Sequence, residues 1–229
     1  SAKCSQTNAM RLHDEDRNPM PLSYRRRIFS WRDSQSAFSA PPSPLPVHRL
    51  HTIAYATRQT SALVTLSLDE SARVVVIQLC DPTHFNALSH VLSCELAEAA
   101  ACAIAQPNVR ALSLQAVGPH FCVGGSPFAA DGQVPLSTLG RSVSGAAQAC
   151  CTFRCLPVAA AVHGHVVGGG MALALNVGML VAERSTTFEH GNLPRGVCPV
   201  AEFSQTLIGW LGVQASAFYL TNAVVRAPA

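Results

Sequence analysis

Hydrophobic and polar positions change their period several times along this chain. From Ala62 the pattern reads strand, strand, helix, strand, with Val74–Leu79 a continuous β-type run. Ser89 is placed to cap a helix in which Leu92, Leu96, Ala99, Ala100, Ala103 and Ile104 recur at helical spacing and which ends before Pro107. A second β-like run follows at Val109–Ala116, a third at Leu156–Val162 and a short one at Met179–Ala182. Between and after them, Arg141–Cys155, Met171–Leu175, Ala201–Leu211 and Val213–Leu220 read as helices. Repeated strand, turn and helix units predict an α/β layered domain.

Residues 1 to 58 carry no such period. Serine, proline and arginine dominate there, with Pro41-Pro42-Ser43-Pro44-Leu45-Pro46 near the middle, so this span is expected to be a disordered tail or linker and 59–229 the folded domain. An Arg- and Ser-rich leader also suits organellar targeting, but Asp14, Glu15, Asp16 and Asp33 count against it, and a cytoplasmic location is expected.

Composition narrows the class. Hydrophobic residues make up 48% of the 229 and charged residues 13%, as in a globular domain. Net charge is +3, and the basic residues are fifteen arginines and one lysine, Lys3, with Arg25-Arg26-Arg27 the only cluster; neither nucleic acid nor a membrane surface is expected as partner. The longest apolar stretch, Val158–Val181, is interrupted by Gly164, Gly168 to Gly170 and Gly178, which argues against a spanning helix. Nine cysteines fit no zinc spacing and no disulfide framework, so no metal is expected and a reducing compartment is the simplest reading. Cys80, Cys94, Cys102 and Cys150 lie in apolar segments and are expected to pack as small hydrophobes. Cys122 and Cys198, near the expected site, are read as packing residues too.

The chemistry concentrates in glycines. His163-Gly164-His165-Val166-Val167-Gly168-Gly169-Gly170 closes one β run and opens a helix, and Phe121-Cys122-Val123-Gly124-Gly125-Ser126 follows another. Glycine turns of this kind let backbone N–H groups approach a ligand oxygen, so two strand ends could each present a donor to one carbonyl. No lysine follows the glycines, which excludes a phosphate-binding P-loop.

In order and separation these motifs resemble the crotonase superfamily, the enoyl-CoA hydratase and isomerase group. Val74–Leu79, Pro82 and Asn86-Ala87-Leu88-Ser89, then Phe121–Ser126, the glycine triplet and the block Phe188–Pro199 all fall in family order. The resemblance implies a spiral of ββα units, cut short here before the last helices of the fold, and an oxyanion hole made by Gly125 and Gly169 with Gly124, Gly168 and Gly170 supporting it. It further implies that His84, Asn86, Ala87 and Ser126 line the thioester arm, that acyl-CoA or a carrier-protein phosphopantetheine thioester is the substrate with no other cofactor, and that the complete protein is a homotrimer or a domain of a larger synthase.

The two glutamates with which family hydratases handle water fall here on Ala172 and Asn192; alanine transfers no proton, and an asparagine amide orients without acting as a base. The Gly-Gly-Ser turn, together with Asp81, Thr83, His84, Asn86 and Ala87, resembles the decarboxylating members of polyketide β-branching, although the lysine those enzymes use is missing. The resulting expectation is a decarboxylating or isomerising thioester enzyme in which His190 returns the proton and Asn192 orients, since histidine titrates near neutrality. Two rivals stand beside it: an ordinary hydratase or isomerase of fatty-acid metabolism, and an inactive scaffold domain. His165 is expected to bond backbone, His163 to face solvent, His120 to sit at a loop tip, and Arg195 to be a surface residue or to pair a substrate carboxylate.

Overall fold

The computed structural model describes residues 50–52, 63–126 and 136–228. The strands are β1 (Leu50–Thr52), β2 (Val64–Asp69), β3 (Val74–Leu79), β4 (Ala111–Ala116), β5 (Val158–Val162), β6 (His165–Val167), β7 (Met179–Ala182), β8 (Thr187–Glu189) and β9 (Val225–Arg226). The helices are α1 (His90–Ala105), α2 (Leu136–Thr152), α3 (Gly169–Leu175), α4 (Phe203–Leu211) and α5 (Gln214–Thr221).

Six strands form one sheet in the order β1-β2-β3-β4-β5-β7. Its first two pairings are antiparallel and the remaining three parallel. A parallel pair needs a crossover, and α1 connects β3 to β4 while α2 connects β4 to β5. This repetition is the expected ββα spiral. A smaller sheet, β6-β8-β9, takes β6 from within the third crossover, between β5 and β7. Alternation explains the core: Val64 and Leu66 of β2, Val75, Ile77 and Leu79 of β3, Leu112 and Leu114 of β4, and Val158, Ala160 and Val162 of β5 are all buried with Leu92, Leu96, Ala99 and Ala103 of α1.

Several boundaries differ from expectation. Leu50–Thr52 fall in the span read as tail, yet they add an edge strand to β2 in the register Leu50↔Asp69 to Thr52↔Ser67; the rest of the 1–58 tail lies outside the described residues. The helix expected from Arg141 begins at Leu136, directly after Pro135, and ends at Thr152. The helix expected from Ala201 begins at Phe203, because Ala201 and Glu202 take left-handed backbone angles (φ 54° and 58°) that cannot continue a right-handed helix. α1 starts where expected: the Ser89 hydroxyl accepts from the Leu92 N–H at 3.1 Å.

Parallel strands leave their C-terminal ends on one edge of the sheet, and ligands of open α/β sheets bind there. The connections leaving β3, β4 and β5 carry Asn86–Ser89, Phe121–Ser126 and the glycine triplet, three of the four motifs.

Candidate active site

The loop after β3 is tied down first. Asn86, fully buried and left-handed (φ 53°), donates from Nδ2 to the Val117 and His120 carbonyls, both at 2.9 Å, while its Oδ1 accepts from the Asp81 N–H at 2.8 Å. Its amide is thus occupied inside the fold. Asn86 anchors this loop to the loop after β4 instead of facing a ligand, and Ala87 is buried beside it. His84 is half exposed, its Nδ1 2.9 Å from the Asp81 carboxylate.

The anchored loop delivers Leu88 to the first glycine turn. The Leu88 N–H donates to the Gly124 carbonyl at 2.7 Å, and the Leu88 carbonyl accepts from the Ser126 N–H at 3.4 Å. Gly124 has φ 93°, and a Cβ on it would lie 2.8 Å from the Val167 carbonyl oxygen and 3.2 Å from the Gly169 nitrogen. Only glycine fits, and the two turns touch. Gly125 is exposed, with no atom within 4 Å of where a Cβ would stand.

The second turn rests on the first. The Val167 N–H donates to the Cys122 carbonyl at 3.1 Å and the Gly168 N–H to the Glu189 carbonyl at 3.2 Å. Gly168 (φ 52°, ψ −112°) precedes α3, so the Gly169 N–H falls in the first turn of that helix, where amides have no acceptor within the helix. Among the described residues neither the Gly125 nor the Gly169 N–H has an acceptor. Gly170 serves a different end from the ligand-supporting role expected of it: a Cβ there would stand 2.1 Å from the Cys122 carbonyl oxygen, so its absence is what lets α3 press on the first turn.

Ala172 is buried on α3 and presents no polar atom at the first of the two acid positions. Asn192 is brought to the second turn: its Oδ1 lies 3.2 Å from the Cβ position of Gly168, and its Nδ2 donates to the Cys198 carbonyl at 3.2 Å. His190 is enclosed by aromatic rings, stacked on Phe203 at 4.4 Å and edge-on to Tyr219 at 4.7 Å, with its Nδ1 buried and without a hydrogen-bond partner. Burial lowers its pKa below the ordinary histidine value, which keeps the ring neutral at neutral pH.

The remaining candidates separate into packing and surface. Cys122 is wholly buried, and burial pushes its thiol up to about 12, which makes it inert. Cys198 is exposed, against the expected packing role, because the Leu193–Arg195 turn carries its segment to the surface. His163 donates from Nε2 to the Gly118 carbonyl at 2.8 Å, and His120 accepts the His165 N–H at Nδ1. The His165 ring bonds a side chain, the Thr187 hydroxyl at 2.6 Å, where a backbone partner was expected. Arg195 donates to the Gly191 carbonyl and lies 3.7 Å from the Glu189 carboxylate. Glu189 and Asn222, which hydrogen-bond each other at 2.9 Å, were not singled out from sequence; they lie 33 residues apart, and no local pattern joins them. Among the described residues no cluster of three or more His, Cys, Asp or Glu could hold a metal, and no helix is long and apolar enough to cross a membrane.

A ββα spiral with two contacting glycine turns at one sheet edge is a crotonase-type fold. The enoyl-CoA hydratase/isomerase family model matches residues 69–227, and the chain belongs to that family. It is 34% identical over 140 residues to the mevalonyl-coenzyme A hydratase SIDH of Beauveria bassiana, a match covering 56% of this chain and 49% of that protein. The chain therefore spans about half the length of this curated relative. Among solved structures, an enoyl-CoA hydratase of Mycobacterium smegmatis superposes with a TM-score of 0.66 at 25% identity, over 73% of this chain and 65% of that one. An enoyl-CoA-hydratase-type protein of Thermobifida fusca, solved in complex with CoA, gives 0.65 at 25% identity, over 72% and 67%.

Proposed function

We propose that this protein acts on an acyl-CoA thioester, holding its carbonyl oxygen between the Gly125 and Gly169 amides and stabilising the enolate that forms beside it. One observation carries this reading: the two amides without acceptors lie on turns that touch, Gly124 against Gly169, at the C-terminal edge of a parallel sheet. Two donors aimed at one developing oxyanion stabilise it strongly because they need not reorient as charge appears. Asn192, against Gly168, orients the acyl group. His190, buried among Phe203 and Tyr219 and held neutral, carries no proton to give at neutral pH, which counts against the donor role expected of it. CoA is favoured over a carrier protein as the thioester's bearer, since a structural neighbour holds CoA and a curated relative is named for a coenzyme A substrate. Hydration or isomerisation is favoured over a polyketide decarboxylase by the same names. Apolar side chains exposed on β7 (Met179, Val181) and on α4 and α5 (Ile208, Leu220) favour a homo-oligomer, with a trimer the expected state.

A second reading has its own support. Ala172 and Asn192 leave both acid positions without a carboxylate, whereas loss of carbon dioxide from a glutaconyl thioester itself leaves the electron pair that becomes the dienolate, so no base is needed. Crotonyl-CoA and glutaconyl-CoA offered separately decide between them. Loss of enoyl absorbance with the first supports hydration, and carbon dioxide release from the second supports decarboxylation. Thioester binding without either would leave an inactive scaffold domain.

A further inference from the structure

The segment that carries Asn192 is gripped by side chains from three places in the chain. Gly191, left-handed at φ 72°, has both of its backbone polar groups captured: its N–H donates to Asn222 Oδ1 at 2.7 Å, and its carbonyl accepts from Arg195 Nη1. Both captors also reach one carboxylate. Asn222 Nδ2 donates to Glu189 Oε1 at 2.9 Å, and Arg195 Nη1 lies 3.7 Å from the same oxygen. The carbonyl of Glu189 in turn accepts the Gly168 N–H, so the grip ends on the residue beside the Gly169 donor. Gly191 is also pressed on β6: a Cβ there would lie 2.6 Å from Val167 Cγ1.

We infer that Glu189, Asn222 and Arg195 form a clasp that positions the Gly168–Gly169 turn, and with it one of the two carbonyl donors. The inference rests on the acyl-thioester reading for its catalytic consequence but not for its geometry. Asn222 is the keystone because it alone joins Gly191 to Glu189 through hydrogen bonds of ordinary length. It does so from the left-handed end of α5 (φ 46°), a conformation that asparagine tolerates better than other side chains. The Arg195–Glu189 pair is long and largely solvated, and contributes less.

Asn222→Gly separates positioning from capping. Glycine suits the left-handed C-cap at least as well, so a purely structural Asn222 predicts unchanged melting temperature and unchanged turnover. The clasp predicts faster amide hydrogen exchange at Gly168 and Gly191, with Leu112 and Leu114 of β4 unaffected, and a fall in kcat of about tenfold at nearly constant KM, an order below the loss that a ~1 Å misplacement brings. Asn222→Asp sets two carboxylates face to face and should impair turnover at pH 8 but recover on acidification; adding Glu189→Gln restores a donor and should rescue it. Wild-type exchange at Gly168 in Asn222→Gly, or a double variant no better than Asn222→Asp alone, overturns the clasp. If the unaltered protein turns over no thioester, the acyl-thioester reading falls, and exchange at Gly168 alone decides the clasp.

Discussion

The two glycine turns proposed to share one carbonyl are held differently. The first, Gly124–Gly125, hangs on a loop: Leu88 grips it on both sides, and Leu88 is in place because buried Asn86 ties its loop to the loop after β4. The second, Gly168–Gly169, is built between β6 and α3, with Gly170 seated on Cys122 and the Gly168 N–H bound to β8. One donor therefore depends on the Asn86 anchor and stands in open space, the other on close backbone packing backed by the clasp around Gly191. Substitutions at equivalent-looking glycines should differ accordingly.

The largest effect is expected where a donor is deleted. Gly125→Pro removes the N–H, and kcat should fall by about 10²–10³, or about 2.7–4 kcal/mol, with circular dichroism unchanged. Full activity in a folded variant would remove Gly125 from the site. Next comes the anchor: Asn86→Ala strands the Val117 and His120 carbonyls and the Asp81 N–H, and a loss of about 3 kcal/mol in urea unfolding is expected, from costs of about 1–3 kcal/mol per unsatisfied buried group. A loss under about 0.5 kcal/mol, the range of neutral surface changes, would show the loop needs no anchor.

The contrast between the turns sharpens with alanine. Gly170→Ala drives a methyl into the Cys122 carbonyl and should cost about 2 kcal/mol by overpacking, whereas Gly125→Ala meets nothing within 4 Å and should leave thermal melting unchanged. Equal melting temperatures for the two would contradict the asymmetry. The smallest effect is in pH dependence. The buried ring of His190 has a pKa below the ordinary 6.5, so the unfolded chain takes up a proton that the folded chain refuses, and stability falls as pH drops below about 6.5. His120, lowered by burial and by His165, adds to the same slope. His190→Phe keeps a ring against Phe203 and should flatten part of the melting-temperature profile between pH 7 and 5; parallel profiles would show that His190 does not titrate with unfolding.

What could be read from the sequence follows the range of the interactions. Ser89, Pro107 and the spacing of Leu92, Leu96 and Ala103 mark α1 because a cap and a helical face are local. The glycine turns are equally local, as are Ala172 and Asn192 by their offsets from neighbouring motifs. β1 escaped because its three residues form a strand only by pairing with β2 across the 53–63 segment. The role of Asn86 as anchor, the aromatic enclosure of His190 by α4 and α5, and the meeting of Glu189 with Asn222 escaped for the same reason: each joins positions 13 to 34 residues apart that nothing in the local pattern connects. The exposure of Cys198 is not legible in sequence, where its place near the expected site and the lack of a neighbouring base point to packing, while the Leu193–Arg195 turn leaves its segment at the surface.

The two-donor carbonyl site is tested most directly by vibrational spectroscopy of a bound acyl-CoA. Two amides on one oxygen weaken the thioester C=O bond, so its stretching band should move to lower frequency on binding, and the shift should shrink by about half in Gly125→Pro, where one of the two donors is gone. A bound thioester whose carbonyl band stays at its solution frequency would contradict the assignment of Gly125 and Gly169.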